Sequence, residues 1–118
     1  MTVALQEVPL PAVAIGRLRD AADSTAWERL TEAQARAREL LARRAVWSIN
    51  STATGGGVAE MLRTMLPYTR AGGLDARWPI VRAGAYFFGV TERIHNHLHG
   101  HLGDGGPLGE AQRNATSA

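Results

Sequence analysis

From Trp27 onward apolar residues recur at Leu30, Ala33, Ala37, Leu40 and Leu41, with Glu32, Arg36, Arg38, Glu39 and Arg43 mostly between them. That spacing predicts an amphipathic helix over about 25–43. Thr25 and Glu28 stand at its start in the order of a capping box, the hydroxyl capping and the carboxylate reaching back. The run "AVWSIN", Ala45 to Asn50, is short and apolar, as a buried strand would be. Val58, Met61, Leu62, Met65 and Leu66 then fall at i, i+3, i+4, i+7 and i+8, one face of a second helix. Gly72 and Gly73 are its natural stop, and Pro67 is expected to bend or shorten its last turn. "DARWPIV", Asp75 to Val81, reads as a second strand; Pro79 lacks a ladder donor and points to an edge position. Phe87, Val90, Ile94 and Leu98 mark a further helix over about 85–99.

The stretch before these elements, 1–23, has short apolar pieces without a sustained period and is read as a leader. The glycine-rich stretch after them, 101–118, is read as a flexible tail. Between lies one domain, 24–100, in the order helix, strand, glycine-rich turn, helix, strand, helix. Strands separated by helices imply an α/β fold with a parallel sheet and right-handed crossovers. Two strands make a very small sheet, so this looks like the opening of a larger α/β domain. An unpaired strand edge and uncovered helix faces would favour self-association.

Composition narrows the chemistry. The chain has 118 residues, enough for one small domain, and 45 % are apolar, so a core is within reach. It has no cysteine, which removes disulfides, thiolate metal sites and cysteine nucleophiles. All 13 basic residues are arginine, yet the net charge is only +2 and the arginines are scattered. No basic stripe for nucleic acid emerges. The N-terminal run has no basic n-region, and no apolar run is long enough to span a membrane, so a cytoplasmic protein is expected.

The chemically distinctive stretch is "NSTATGGGVAE", Asn50 to Glu60. A strand passing through glycines into a helix presents backbone N–H groups at the positive end of the helix dipole. Phosphates, carboxylates or sugar hydroxyls can approach there, and Asn50, Ser51, Thr52 and Thr54 add short polar side chains. A tight corner between strand and helix would use the same glycines, and pattern alone leaves both readings open. GxxxxGK[ST] is ruled out by the lack of lysine, and GxGxxG by Val58, Ala59 and Glu60 after Gly57. Arg82, after the second strand, stands where a dinucleotide site would carry an acid; it would suit a 2′-phosphate, which leaves an NADP-binding half-domain as an alternative.

"NSTATGGGVAEMLRTMLPYTRAGGLDARW" (50–78) followed by "FFGVTERIHNHLHG" (87–100) resembles the N-terminal domain of trehalose synthases of the glycosyltransferring type. These are retaining GT-B glycosyltransferases joining a nucleotide-activated glucose to free glucose. The resemblance implies a partial Rossmann-like N-terminal GT-B domain preceded by a helix. It implies glucose and a nucleotide-glucose as substrates, with no further cofactor. In such enzymes the N-terminal domain holds mainly the acceptor, and its glycine loop faces the cleft near the donor's diphosphate. Carried over, Gly55, Gly56 and Gly57 would be that loop, with Asn50 and Ser51 beside it. Glu60 would orient the loop or stabilise the helix end. No catalytic residue is assigned. The family's acidic stretch before the third helix is replaced here by "RAGAYFF", which includes Arg82, Gly84, Ala85 and Tyr86. The nucleotide-sugar domain does not fit within this length. Catalysis is therefore expected to require a separately supplied C-terminal half; a non-catalytic sugar-binding or interaction module is the alternative.

All four histidines, His95, His97, His99 and His101, fall in "HNHLHGH". His95 and His99 share a helix face at i, i+4, a spacing that can hold a metal. No HExxH glutamate lies between them, the nearest acid is Asp104 in the tail, and His95-Asn96 belongs to the family pattern. No resident metal is expected.

Overall fold

A computed structural model describes residues 2–116. The chain is mixed α/β: β1 (Ala4–Glu7), α1 (Gly16–Arg19), α2 (Ser24–Leu40), β2 (Ala45–Trp47), α3 (Gly57–Ala71), β3 (Asp75–Arg77), β4 (Pro79–Arg82), α4 (Ala85–Leu98) and α5 (Glu110–Thr116). It divides into two compact units, Gln6–Ile80 and the residues up to Leu5 together with those from Val81 onward. The strands form two small sheets, β1 with β4 and β2 with β3.

In the unit Gln6–Ile80, β2 and β3 run parallel, Ala45 opposite Asp75, Val46 opposite Ala76 and Trp47 opposite Arg77. Beyond Trp47 the pairing persists in part. Ser48 N–H donates to Arg77 O at 2.9 Å, and Asn50 forms a parallel bridge with Ile80. The crossover is α3, as expected of strands separated by a helix. Its Ala59, Leu62 and Leu66 pack on Ala76 and Trp78 to make the core, with Val8, Leu10 and Ala53 against its margin.

The predicted face of α3 splits in two. Leu62 and Leu66 are buried, whereas Val58, Met61 and Met65 stand 58 %, 52 % and 49 % exposed. A small two-stranded sheet covers only part of an apolar stripe, so helical period marked the element without fixing its burial. Pro67 neither ends nor shortens the helix: it is buried within α3, which continues to Ala71.

Other expectations shift by particular contacts. The cap of α2 is Asp23, not Thr25: the helix starts one residue earlier, and Asp23 Oδ1 accepts from Ala26 N–H at 2.7 Å. Thr25 thus lies inside the first turn. The helix stops at Leu40 rather than 43, in a turn where Arg43 takes φ 63°. The predicted second strand is broken at Trp78 into β3 and β4. Pro79 lies in the two-stranded sheet of β1 and β4, with an isolated bridge, Asn50 to Ile80, on its other side. Trp78 O accepts from Val8 N–H (2.8 Å) on one side, and Pro79 O from Asn50 N–H (3.4 Å) on the other. The missing donor falls at the first residue of β4, a position at which proline is tolerated in a strand. The stretch read as a leader contains β1 and α1.

In the other unit, α4 carries the buried Val90, and Phe87 and Phe88 meet edge to face at 5.5 Å. The stretch read as a flexible tail includes α5. It is tied back by Gln112 Nε2 donating to the Tyr86 hydroxyl (3.2 Å) and by a two-pronged Arg93–Asp104 pair at 2.8–3.0 Å. Among the described residues no helix is long and apolar enough to cross a membrane.

Candidate functional site

The glycine loop leaves β2 at the end where parallel pairing gives out and enters α3. Its first residue is anchored in the core. Asn50 Oδ1 accepts from the indole Nε1–H of Trp78 at 2.7 Å, and its Nδ2 donates to Thr52 O at 2.7 Å. Trp78 is 1 % exposed, so this is the partner that makes burial of its N–H tolerable. Both faces of the Asn50 amide are thereby engaged by the protein.

The next turn is closed by hydroxyl chemistry. Thr52 Oγ1 donates to Thr54 O at 2.7 Å and accepts from Thr54 N–H at 3.1 Å. Arg63, in the second turn of α3, reaches back so that its Nη2 donates to Ala53 O. The loop is therefore held at Asn50 by Trp78, at Thr52 by its own Thr54, and at Ala53 by Arg63 of α3.

The glycines follow with nothing crowded round them. Gly55 has φ 73° and Gly56 φ 80°, the left-handed region that side chains rarely enter. A Cβ at Gly55, Gly56 or Gly57 would meet no heavy atom within 4 Å. The tight-corner reading thus fails in its usual form: glycine is required at 55 and 56 by backbone conformation, and at none of the three by close packing. Gly56 is the N-cap of α3 and no side chain caps it. The first intrahelical bond is Glu60 N–H to Gly56 O (3.3 Å), so the amides of Gly57, Val58 and Ala59 precede any helical acceptor. That is a helix start without a side-chain cap, at the positive end of the dipole, with Gly55, Gly56, Gly57 and Val58 exposed.

Ser51 and Glu60 are both exposed, Glu60 in the first turn of α3. All six residues singled out from the sequence, Asn50, Ser51, Gly55, Gly56, Gly57 and Glu60, thus fall on one strand-to-helix connection. Their placements differ: Asn50 is bonded into the loop, whereas the three glycines are exposed. Trp78 and Arg63, which fix the loop, carried no chemical signature in the sequence. A tryptophan inside a predicted strand, 28 residues from a lone asparagine, is the one trace of the pairing. Arg82 lies in the other unit at the end of β4.

Comparison with known proteins covers the same stretch. Residues 48–116 match the family model described as trehalose synthase, N-terminal domain. A trehalose synthase of Thermococcus litoralis is 40 % identical over 84 residues, 71 % of this chain and 20 % of that protein. The trehalose synthase of Pyrococcus horikoshii is 41 % identical over 73 residues, 62 % of this chain and 17 % of its own. That of Rubrobacter xylanophilus reaches 49 % over 55 residues, 47 % of this chain and 13 % of its own. The matched stretch thus spans at most about a fifth of the length of these curated relatives. With the glycine loop, α3 and α4 all inside the match, the chain belongs to the family of the trehalose synthase N-terminal domain.

Proposed function

We propose that this chain is the acceptor-side portion of a glycosyltransferase that forms trehalose from a nucleotide-activated glucose and glucose. In this reading its β2–α3 unit is part of the N-terminal, Rossmann-like half of a GT-B enzyme. The observation that carries it is the family match running through an uncapped, glycine-bordered helix start. Uncapped amides at the positive end of a fifteen-residue helix suit a sugar hydroxyl or a diphosphate oxygen. The nucleotide-sugar contacts would come from a C-terminal half supplied by another polypeptide or by further sequence.

A graft tests this directly. Residues 48–116 replace the corresponding segment of the Thermococcus litoralis trehalose synthase, and trehalose is measured from nucleotide-glucose and glucose. Activity within about tenfold of the parent supports the reading, and Gly56→Val in the graft should then lower kcat/KM at least about tenfold, because a β-branched residue resists φ near 80°. A folded graft that makes no trehalose rejects the transferase reading. Calorimetric glucose binding by the isolated chain, with an inactive graft, would favour a non-catalytic sugar-binding module instead.

A further inference from the structure

The histidines of α4 carry an inference independent of the transferase reading. On a helix, residues four apart sit one above the other, and here the His95 and His99 rings approach to 4.3 Å between centroids, tilted by 35°. His99 is the C-cap of α4, and its Nδ1 lies 2.9 Å from His95 O. A carbonyl oxygen can only accept, so Nδ1 carries a proton, and in the neutral ring Nε2 is the nitrogen with the lone pair. This is the arrangement by which a ligating histidine is usually oriented: one ring nitrogen donates to a carbonyl, and the other is left for a metal. Both rings are exposed.

We propose that His95 and His99 form a two-histidine chelate for a divalent transition metal. Its remaining coordination positions are open to water. Imidazole donors favour copper, nickel and zinc over magnesium or calcium, and with two nitrogen ligands the affinity should follow copper above nickel and zinc. Among the described residues no third histidine, aspartate or glutamate joins the pair. Asp104 is held by Arg93 and by the Gly106 N–H, and His97, two positions away from each of the pair, projects from a different side of the helix. Spanning the last turn and the C-cap, a bound ion would fix the end of α4.

The untagged chain is titrated calorimetrically with Cu²⁺, Ni²⁺, Zn²⁺ and Mg²⁺. Wild type is compared with His95→Ala, His99→Ala and the double variant His97→Ala/His101→Ala, and far-ultraviolet circular dichroism checks that each is folded. The expected result is one Cu²⁺ per chain, bound more tightly than Ni²⁺ or Zn²⁺, with no Mg²⁺ binding. His95→Ala and His99→Ala should each weaken Cu²⁺ at least tenfold, and the His97/His101 variant should keep wild-type affinity. If all variants lose affinity alike, or the His97/His101 variant loses most, binding is diffuse across the cluster and the chelate is rejected. If Cu²⁺ binds no better than Mg²⁺, it is rejected outright.

Discussion

Three consecutive glycines look equivalent in the sequence and are not equivalent in the fold. Gly55 and Gly56 occupy positive φ, whereas Gly57 begins α3 with open space where a Cβ would go. Alanine should therefore act with opposite signs. Gly55→Ala should cost about 1–2 kcal/mol through its positive φ and Gly56→Ala, at φ 80° and ψ 151°, about 1–3 kcal/mol, whereas Gly57→Ala should gain about 0.5–1 kcal/mol from the chain entropy saved. Urea unfolding of the three variants distinguishes the outcomes; destabilisation by all three would mean that the backbone at 57 differs from the helical one described. Asn50 gives a second residue-scale test. Removing its carbonyl in Asn50→Ala leaves the Trp78 N–H buried without a partner, a loss of about 1–3 kcal/mol. In Asn50→Ala/Trp78→Phe that unpaired donor is gone too, so the double variant should cost clearly less than the sum of the singles. Additive losses would show that the hydrogen bond contributes nothing of its own.

At the scale of elements, what was legible followed periodicity and what was missed followed tertiary contacts. α2, α3 and α4 carry apolar residues at helical spacing over three turns or more, and each lies within a few residues of its expected span. β1 and α1 are four residues each and expose most of their side chains, so no periodic signal could betray them. The division of the second strand at Trp78 depends on which neighbours its carbonyls meet, Val8 on one side and Asn50 on the next residue, and sequence says nothing of either. The cap slipped from Thr25 to Asp23 because "DSTAWE" offers several cap-competent residues in a row. Asp23→Ala should cost about 0.5–2 kcal/mol and Thr25→Ala much less, measured as unfolding free energies. The glycine loop was found by composition, but its three anchors were not, since a hydroxyl turn, an arginine reaching back from α3 and a buried indole have no common spacing.

Two ion pairs give α4 and β3 an acid dependence. The Arg93 guanidinium, with help from the Gly106 N–H, holds the Asp104 carboxyl below its ordinary value, and hydrogen bonding to Arg77 does the same for Asp75. A carboxyl depressed in the folded state contributes stability above its unfolded value, near 3.9, and loses it as pH falls through the lower folded value. The contribution of these two pairs should thus be constant from neutral pH to about 5 and decline below about 4. Both carboxylates are exposed, so the contribution is small and screened by salt. Asp104→Asn should flatten part of the acid decline in a series of urea midpoints. An unchanged pH profile in that variant would remove the Arg93 pair as a source of acid sensitivity.

For the molecule as a whole, the governing fact is that the sheet is too small for its helices. In the unit Gln6–Ile80, α2 has no buried residue, and Leu40, Trp47, Ile49, Val58, Met61 and Met65 are exposed. A largely apolar cavity of about 540 Å³ runs between α1, α2 and α3, lined by Ile15, Leu18, Leu30, Ala37, Met65 and Leu74 among others. Exposed apolar surface on this scale is uncommon on a stable monomer. Burying it should be favourable at roughly 25 cal/mol per Å² before the cost of association. The chain alone is accordingly expected to self-associate, with a mass that rises with concentration in sedimentation equilibrium. Met65 lies on both the exposed face of α3 and the wall of the cavity, so Met65→Glu should shift the equilibrium toward monomer. Placing a carboxylate there removes an apolar contact from any partner surface and adds a charge whose burial would be penalised. Asn114 on α5 supplies a control, because Asn114→Asp adds one negative charge at an exposed position outside that unit and should leave the association unchanged. A concentration-independent monomer in the wild type would mean that this surface is tolerated in water, and the mismatch between sheet and helices would then not drive assembly.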